Sequence, residues 1–532
     1  MNAKIKYPIG IQTFEKIRTE GFLYVDKTDL IYNLVHDNQY VFLSRPRRFG
    51  KSLLVSTLEE YFRGNKELFK GLAIEKLETE WTVHPVIRFD LSGENYDSPN
   101  RLVHLIKSRL NDYETDCGTI PDPDDSIGLR LNKLISEMHK VYGKQVVILV
   151  DEYDKPLLDS IHDDDLQESV RRELEGFYSN LKKCDKYIKF ALLTGVGKFG
   201  HVSIFSGLNN LIDISLVADY NALCGISETE FHDNFGPSVR NFAAANEMTE
   251  DKVWEKFKKQ YDGYHFSKKS EGIYNPFSVL KAFHLNEFGA YWFASGTPRF
   301  LVQLVKRNRY ALTDLQGALL TADDLSDMTD PVNDCHALFF QAGYLTIKGY
   351  EKETNRYLLD FPNEEVRSGF WNSLYKQYVL AGIPSRTFDI FSFVDDVRQG
   401  RVEEFMTRLK ALVASVLPGV ERHKEIHFQN VMQIIFKMLG LTVQTEVVTA
   451  MGRCDMTVKT RDYVYIMEFK IDSTAQAAID QIEDKGYAHP YAADDRLVYL
   501  IGANFSTKTN ELDDYLIVRY EGRARRDEGR AD

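Results

Sequence analysis

Tyr40-Val-Phe-Leu-Ser-Arg-Pro-Arg-Arg-Phe-Gly-Lys-Ser-Leu-Leu54 runs from an apolar stretch through a cationic turn into an amphipathic pattern. Tyr40 to Leu43 reads as a buried strand, and Leu53 to Phe62 reads as a helix that Gly50-Lys51-Ser52 opens. Strand, loop and helix N-terminus in that order form the context of a phosphate-binding loop. Nucleotide phosphates need backbone N–H groups, the positive end of a helix, a mobile cation and a hydroxyl for Mg²⁺. Lys51 supplies the cation and Ser52 the hydroxyl. The loop departs from G-x-x-x-x-G-K-[ST] at its first position, where Arg45 replaces glycine. With Arg47 and Arg48 this makes the loop strongly cationic. Two readings stand: extra phosphate contacts, or a backbone that curls differently. The candidate nucleotide-binding set here is Arg45, Pro46, Arg47, Arg48, Phe49, Gly50, Lys51 and Ser52.

Gln145-Val-Val-Ile-Leu-Val-Asp-Glu-Tyr-Asp154 carries five successive apolar residues, the pattern of a strand buried on both faces in a parallel sheet. Asp151 and Glu152 stand at its C-terminal end, where open α/β sheets bind ligands. Asp151 is expected to hold Mg²⁺ through water, and Glu152 to orient or deprotonate the attacking water. The next strand, Tyr187 to Gly195, ends in Thr194, either a γ-phosphate sensor or an ordinary strand-end threonine. A further strand at Pro85–Leu91 alternates with helices near 29–36, 100–113 and 127–142, which describes a doubly wound P-loop domain. The aromatic segments 7–14 and 22–28 before the loop suit either an adenine ring or the core.

From 227 to about 378 the pattern is mostly helical and aromatic, expected as a lid or winged-helix region. Arg299 lies there as an arginine able to reach a γ-phosphate or simply to start a helix. His265 has no partner at ligand spacing and reads as structural. Residues 382–387 read as a hinge.

The C-terminal part carries a second constellation. An amphipathic helix over 421–439 precedes strands at 442–449, 454–459 and 463–471. Asp455 starts the middle strand, and Glu468 and Lys470, two apart, share one face of the next. An Asp facing Glu-x-Lys suits a metal-dependent hydrolase: two carboxylates hold Mg²⁺ while lysine and metal activate water. Glu425 offers a further carboxylate, and Gln481 with Lys485 and Tyr487 sits where it can place water or grip a substrate backbone. Charged residues in an otherwise apolar strand are costly without a purpose.

Composition bounds the class. A chain of 532 residues is too long for one domain. Its net charge of −13 excludes a surface coated in basic groups, leaving nucleic-acid binding to a local patch. Five scattered cysteines without C-x-x-C suggest neither zinc nor disulfides, and fit a reducing cytoplasm. With no signal core and no run of eighteen apolar residues, a soluble cytoplasmic protein off the membrane is expected.

The loop Ser44-Arg-Pro-Arg-Arg-Phe-Gly-Lys-Ser52, with Tyr7-Pro-Ile-Gly-Ile-Gln12, Tyr24-Val-Asp-Lys-Thr28, Val150-Asp-Glu-Tyr-Asp154 and Phe205-Ser-Gly-Leu-Asn-Asn210, resembles the bacterial AAA-ATPase-like family. In that family an archaeal-type P-loop ATPase precedes a C-terminal PD-(D/E)XK nuclease-superfamily domain. The resemblance implies that Arg45 is the family's own form of the loop. It also implies Walker A roles for Lys51 and Ser52, Walker B roles for Asp151 and Glu152, and nuclease roles for Asp455, Glu468, Lys470, Gln481 and Glu425. The expected fold is α/β: a P-loop domain over 1–226, a helical or winged-helix region over 227–380 and a hinge over 381–400. A restriction-endonuclease-like domain over 401–521 and a flexible tail over 522–532 complete it. The expected function is an ATP-hydrolysing module coupled to a nuclease using Mg²⁺ or Mn²⁺ on nucleic acid, with DNA favoured by analogy. The competing reading is a nucleotide-dependent nucleic-acid-binding or protein-remodelling ATPase whose nuclease-like domain only binds. A homo-oligomer is compatible with either.

Overall fold

The computed structural model describes residues 5–161, 163–198, 204–205, 208, 210–296, 312–326, 335–376, 390–416, 424–438, 442–449, 452–509 and 511–521. For 313, 314, 390, 391, 416, 424–427, 429, 436, 442–449 and 452–454 the description is of the backbone alone. Two compact units emerge: Met1–Gly296 with Gly317–Arg367, and Thr297–Gln316 with Ser368–Asp532.

In the first unit, β1 (Tyr40–Ser44), β2 (Val86–Asp90), β3 (Val146–Asp151), β4 (Ile188–Gly195) and β5 (Ile212–Asp213) form a parallel sheet in the order β2-β3-β4-β1-β5. Every residue of β1 and β3 is buried, as their unbroken apolar runs require of strands covered on both faces. Insertion of β4 between β1 and β3 decides where the chemistry lies. Leu43 registers with Thr194 and Ser44 with Gly195, while Val150 registers with Leu193. The exits of β1, β3 and β4 therefore stand side by side.

Helix Lys51–Phe62 leaves β1 and buries Leu54, Val55, Leu58 and Phe62. Helices Pro99–Asp116, Ile127–Tyr142 and Asp164–Lys183 pack on one another. Ser126 and Asp163 cap the second and third by accepting from Leu129 N and Leu166 N. A buried Arg130–Glu114 pair ties the first two together.

The rest of this unit holds the helices Glu228–Ala245, Glu250–Tyr261 and Pro276–Leu285 around stacked Phe231, Phe235, Phe257 and Phe283. Ser227 and Glu230 close a capping box at the first of these. Strands intervene where helix was expected to dominate. The pair β6 (Ile226–Ser227) and β7 (Ile273–Tyr274) is antiparallel. So is the sheet β8-β10-β9, made of β8 (Leu319–Leu320), β9 (Thr346–Glu351) and β10 (Arg356–Asp360). Asn355, at φ 54°, turns the chain between β9 and β10. His265 donates from Nδ1 to Ser270 O at 2.9 Å, a local structural bond.

The second unit carries β11 (Thr442–Thr449), β12 (Gly452–Lys459), β13 (Tyr463–Ile471), β14 (Leu497–Ser506) and β15 (Glu511–Arg519) in sequence order. Only β13 and β14 are parallel, joined through helix Ala475–Asp484. Of the segment read as a hinge, 381–389 lie outside the described residues, whereas Ile390–Gln399 is a helix that buries Phe393 and Val397. The tail from 522 and Arg299 also lie outside them. Among the described residues no helix is long and apolar enough to cross a membrane.

Candidate functional site

The loop after β1 is built around a glycine. Gly50 adopts φ +100°, a conformation that side chains disfavour, and heads helix Lys51–Phe62. Among the described residues no side chain caps that helix, which leaves the N–H groups of its first turn without a side-chain partner, the condition an anion site needs. Lys51 is buried and donates to Arg45 O at 2.8 Å and Pro46 O at 3.1 Å. Burial pushes its pKa down, against the nearby charges of Glu152, Asp151 and Asp154. Ser52, half-buried, follows it on the first turn.

The three arginines part company. Arg45 turns inward at 1% exposure, donating to Ser44 O, Ser215 O and Tyr220 O at 2.9, 2.8 and 3.0 Å. Its guanidinium lies 4.1 Å from the Phe266 ring centroid, and burial lowers its pKa to about 10. This side chain braces the loop from behind instead of joining the phosphate cradle. Phe49 likewise enters the core, edge-on to Tyr264 and Phe266. Pro46 is buried against Gly343. Arg47 is half-buried, its carbonyl accepting from Trp292 Nε1 at 2.9 Å, and its charge is felt at Glu152. Arg48 is exposed, 5.2 Å from the Phe277 ring centroid.

At the end of β3, Asp151 is buried and accepts from Thr194 Oγ1 at 2.6 Å. Glu152 takes φ 54°, a left-handed conformation rare outside glycine and concentrated at functional sites. Burial raises its carboxyl above the usual range, with Lys51 opposing the rise. A third acid, Asp154, is also buried, its carboxyl pushed up to about 6 by desolvation. Asp154 has no sequence signal beyond being a third carboxylate close behind Asp151.

Beside the loop opens an apolar cavity lined by Tyr24, Val25, Gly50, Leu53, Leu223 and Cys224 among others. Lys27 lines it too, and pairs with Glu230 of the capping box. The segment 22–28 thus reaches the loop's flank, whereas Leu223 and Cys224 carry no local sequence signal for doing so.

The second cluster lies in the other unit. Glu468 on β13 is 3% exposed and accepts from Asp455 N at 3.3 Å, while Asp455 accepts from Phe469 N at 2.8 Å. The two carboxylates so exchange bonds with each other's strand, just past the Met456–Met467 pair. Lys470 Nζ stands 3.4 Å from Glu468 Oε1 and donates to Gln481 Oε1, and Gln481 Nε2 donates to Glu468 Oε1. Helix Ala475–Asp484 reaches this close to the sheet because Gly502 lacks a side chain: a Cβ there would lie 2.4 Å from Ala475 O. Burial pushes Glu468 up to about 7, Asp455's charge adding to it and Lys470's opposing it. Lys485 is exposed at the helix end, Tyr487 is core, and the side chain of Glu425 lies outside the described residues.

Among the described residues no group of three His, Cys, Asp or Glu side chains converges as metal ligands. Mg²⁺ nonetheless suits both donor sets, because it binds through one or two carboxylates or a hydroxyl and leaves its other positions to water and phosphate. Ser52 with Asp151, and Asp455 with Glu468, fit that pattern. The mutual repulsion that helps raise Glu468 is what a cation between the pair relieves.

Residues 8–205 match the family described as predicted AAA-ATPase, and 423–514 match the PD-(D/E)XK nuclease superfamily. An uncharacterised protein encoded in the vnfD 5′ region of Azotobacter chroococcum mcd 1 is 36% identical over 530 residues, covering 96% of this chain and 98% of that protein. The solved structure of the Aeropyrum pernix ORC1 protein in complex with DNA covers 67% of this chain and 92% of its own. Its identity is 10% and its TM-score 0.25, an overlap too low to bear on function.

Proposed function

The chain belongs to the AAA-ATPase-like family and carries a C-terminal PD-(D/E)XK nuclease-superfamily domain, and from that premise we propose that it is an ATP-hydrolysing enzyme coupled to a metal-dependent nuclease that cuts nucleic acid, DNA in the first instance. The observation that carries the reading is convergence: Lys51, Asp151, Glu152 and Thr194 leave adjacent strand ends at one uncapped helix N-terminus.

The phosphates sit on the N–H groups of the helix's first turn, with Lys51 moving from the carbonyls of Arg45 and Pro46 onto the phosphate oxygens. The base enters the cavity beside Gly50, held by apolar packing. Glu152 takes the proton of the attacking water, and Thr194, already on Asp151, reads the terminal phosphate. Mg²⁺, held by Ser52 and Asp151, supplies charge neutralisation for the phosphates.

At the second cluster Asp455 and Glu468 hold the divalent ion, which supplies Lewis acidity and an acidified water. Lys470 faces the scissile phosphate's developing charge, and Gln481 fixes the rotamers of both Glu468 and Lys470. The net charge of −13 favours one rival, an ATPase that acts on protein partners with a nuclease fold used for contact.

Lys51→Ala is the direct test of the nucleotide site. ATP affinity, measured by calorimetry, is expected to fall about 30-fold or more, the order seen when one partner of a buried charged pair is truncated. Unchanged affinity rejects the site. ATP turnover unaffected by DNA, with no cleavage of linear or circular DNA in Mg²⁺ or Mn²⁺, moves the reading to the protein-acting rival.

A further inference from the structure

We propose that Asp154 is a positioning residue for hydrolysis: it clamps the Gly195–Lys198 turn and so fixes Thr194 over Asp151. The proposal rests on the nucleotide-site reading above. Asp154 is 1% exposed, and its Oδ2 accepts from Val196 N at 3.0 Å and Gly197 N at 2.7 Å. Tyr153 reinforces the hold. Its N–H donates to Thr194 O at 2.9 Å and its hydroxyl to Gly197 O at 3.0 Å. The turn also touches the phosphate loop, since Arg45 N donates to Gly195 O at 3.1 Å.

Gly195 admits no substitute here. A Cβ would stand 2.7 Å from both Asp154 Oδ1 and the Tyr153 ring. Among the described residues Asp154 Oδ1 has no hydrogen-bond partner. A buried carboxylate with one oxygen unanswered is costly, and a neutral acceptor would hold two N–H groups at lower cost. Beyond the turn, Lys198 N donates to Gln341 Oε1 at 2.6 Å and Lys198 Nζ reaches Ser326 Oγ at 3.0 Å and Asp213 at 2.5 Å. The clamped turn therefore links the end of β4 to the helix Cys335–Ala342.

The test compares the full chain with D154A, D154N and Y153F, measuring equilibrium ATP affinity and steady-state turnover for each. D154A is expected to lose about tenfold or more in kcat while its ATP affinity stays within about threefold, the split that marks an interaction used after binding. Asn keeps an oxygen for both N–H groups, so D154N should restore most of that loss. Y153F removes one bond of the clamp without disturbing the packing of the ring, and should lower kcat several-fold at unchanged affinity. If D154A fails to fold, Y153F decides. Parent-like turnover in D154A or Y153F overturns the proposal, as does D154N being as impaired as D154A, or affinity and kcat falling together. An unmutated chain that neither binds nor hydrolyses ATP overturns the nucleotide reading itself, and this inference with it.

Discussion

Glu152→Gln is expected to bind ATP as tightly as the unmutated chain and to hydrolyse it about 10²–10⁴ times more slowly, the range for loss of a general base. The substitution keeps shape and hydrogen-bonding reach, so the helix N-terminus, Lys51 and the apolar cavity continue to hold nucleotide. Only proton abstraction is lost. The backbone argues for Glu152 over its neighbours: φ 54° at a residue that is not glycine costs on the order of 1–3 kcal/mol and persists where surrounding structure imposes it. Burial raises the Glu152 carboxyl, so its basic form is lost at a higher pH than for an ordinary glutamate. Turnover should accordingly fall as pH drops through that raised value, and the residual rate of the Gln variant should lack this limb. Single-turnover rates across pH, with binding measured in parallel, check both points. Full activity in the variant would remove Glu152 from the chemistry.

The parts of this site that can be read from the chain are those whose physics is local. β1 and β3 are continuous apolar runs, and buried parallel strands need nothing else to announce themselves. Gly50-Lys51-Ser52 is legible because a left-handed glycine, a lysine and a hydroxyl must be adjacent to cradle a phosphate. Arg45 shows the limit. In the sequence it is one more cation in a cationic loop, yet its partners Ser215 and Tyr220 are about 170 residues away and only the folded sheet brings them near. Asp154 was likewise visible as a carboxylate but not as a clamp, because the turn it holds follows another strand. In the middle region, aromatic density reads as helix packing and hides β9 and β10; the Asn355 turn between them was the available signal.

The C-terminal cluster was legible for a different reason: Glu468 and Lys470 are the charged residues of an otherwise apolar strand, buried from Val464 to Glu468. Asp455→Ala is expected to lower metal-dependent cleavage on the order of 10²–10³-fold, since a divalent ion contributes several kcal/mol of charge stabilisation. The variant also has a signature at Glu468. In the unmutated chain that carboxyl is pushed up to about 7 by burial and by Asp455's charge. Below that pH it carries a proton that a metal ion must displace. Affinity for Mg²⁺ or Mn²⁺ should therefore tighten up to about tenfold per pH unit as pH rises toward 7, then level off. Stability of the metal-free chain runs the opposite way. The folded state keeps the proton up to about 7 while an unfolded glutamate releases it near 4.5, so stability falls between those values and is flat above them. Removing Asp455 deletes one of the two raising causes, and both transitions should move to lower pH even as cleavage is lost. Metal titrations and thermal melts across pH separate this outcome from mere unfolding, which would erase the transitions without shifting them. Cleavage persisting in the variant would show that the two carboxylates do not act together, and the cluster would then be a buried polar network that braces helix Ala475–Asp484 against β13.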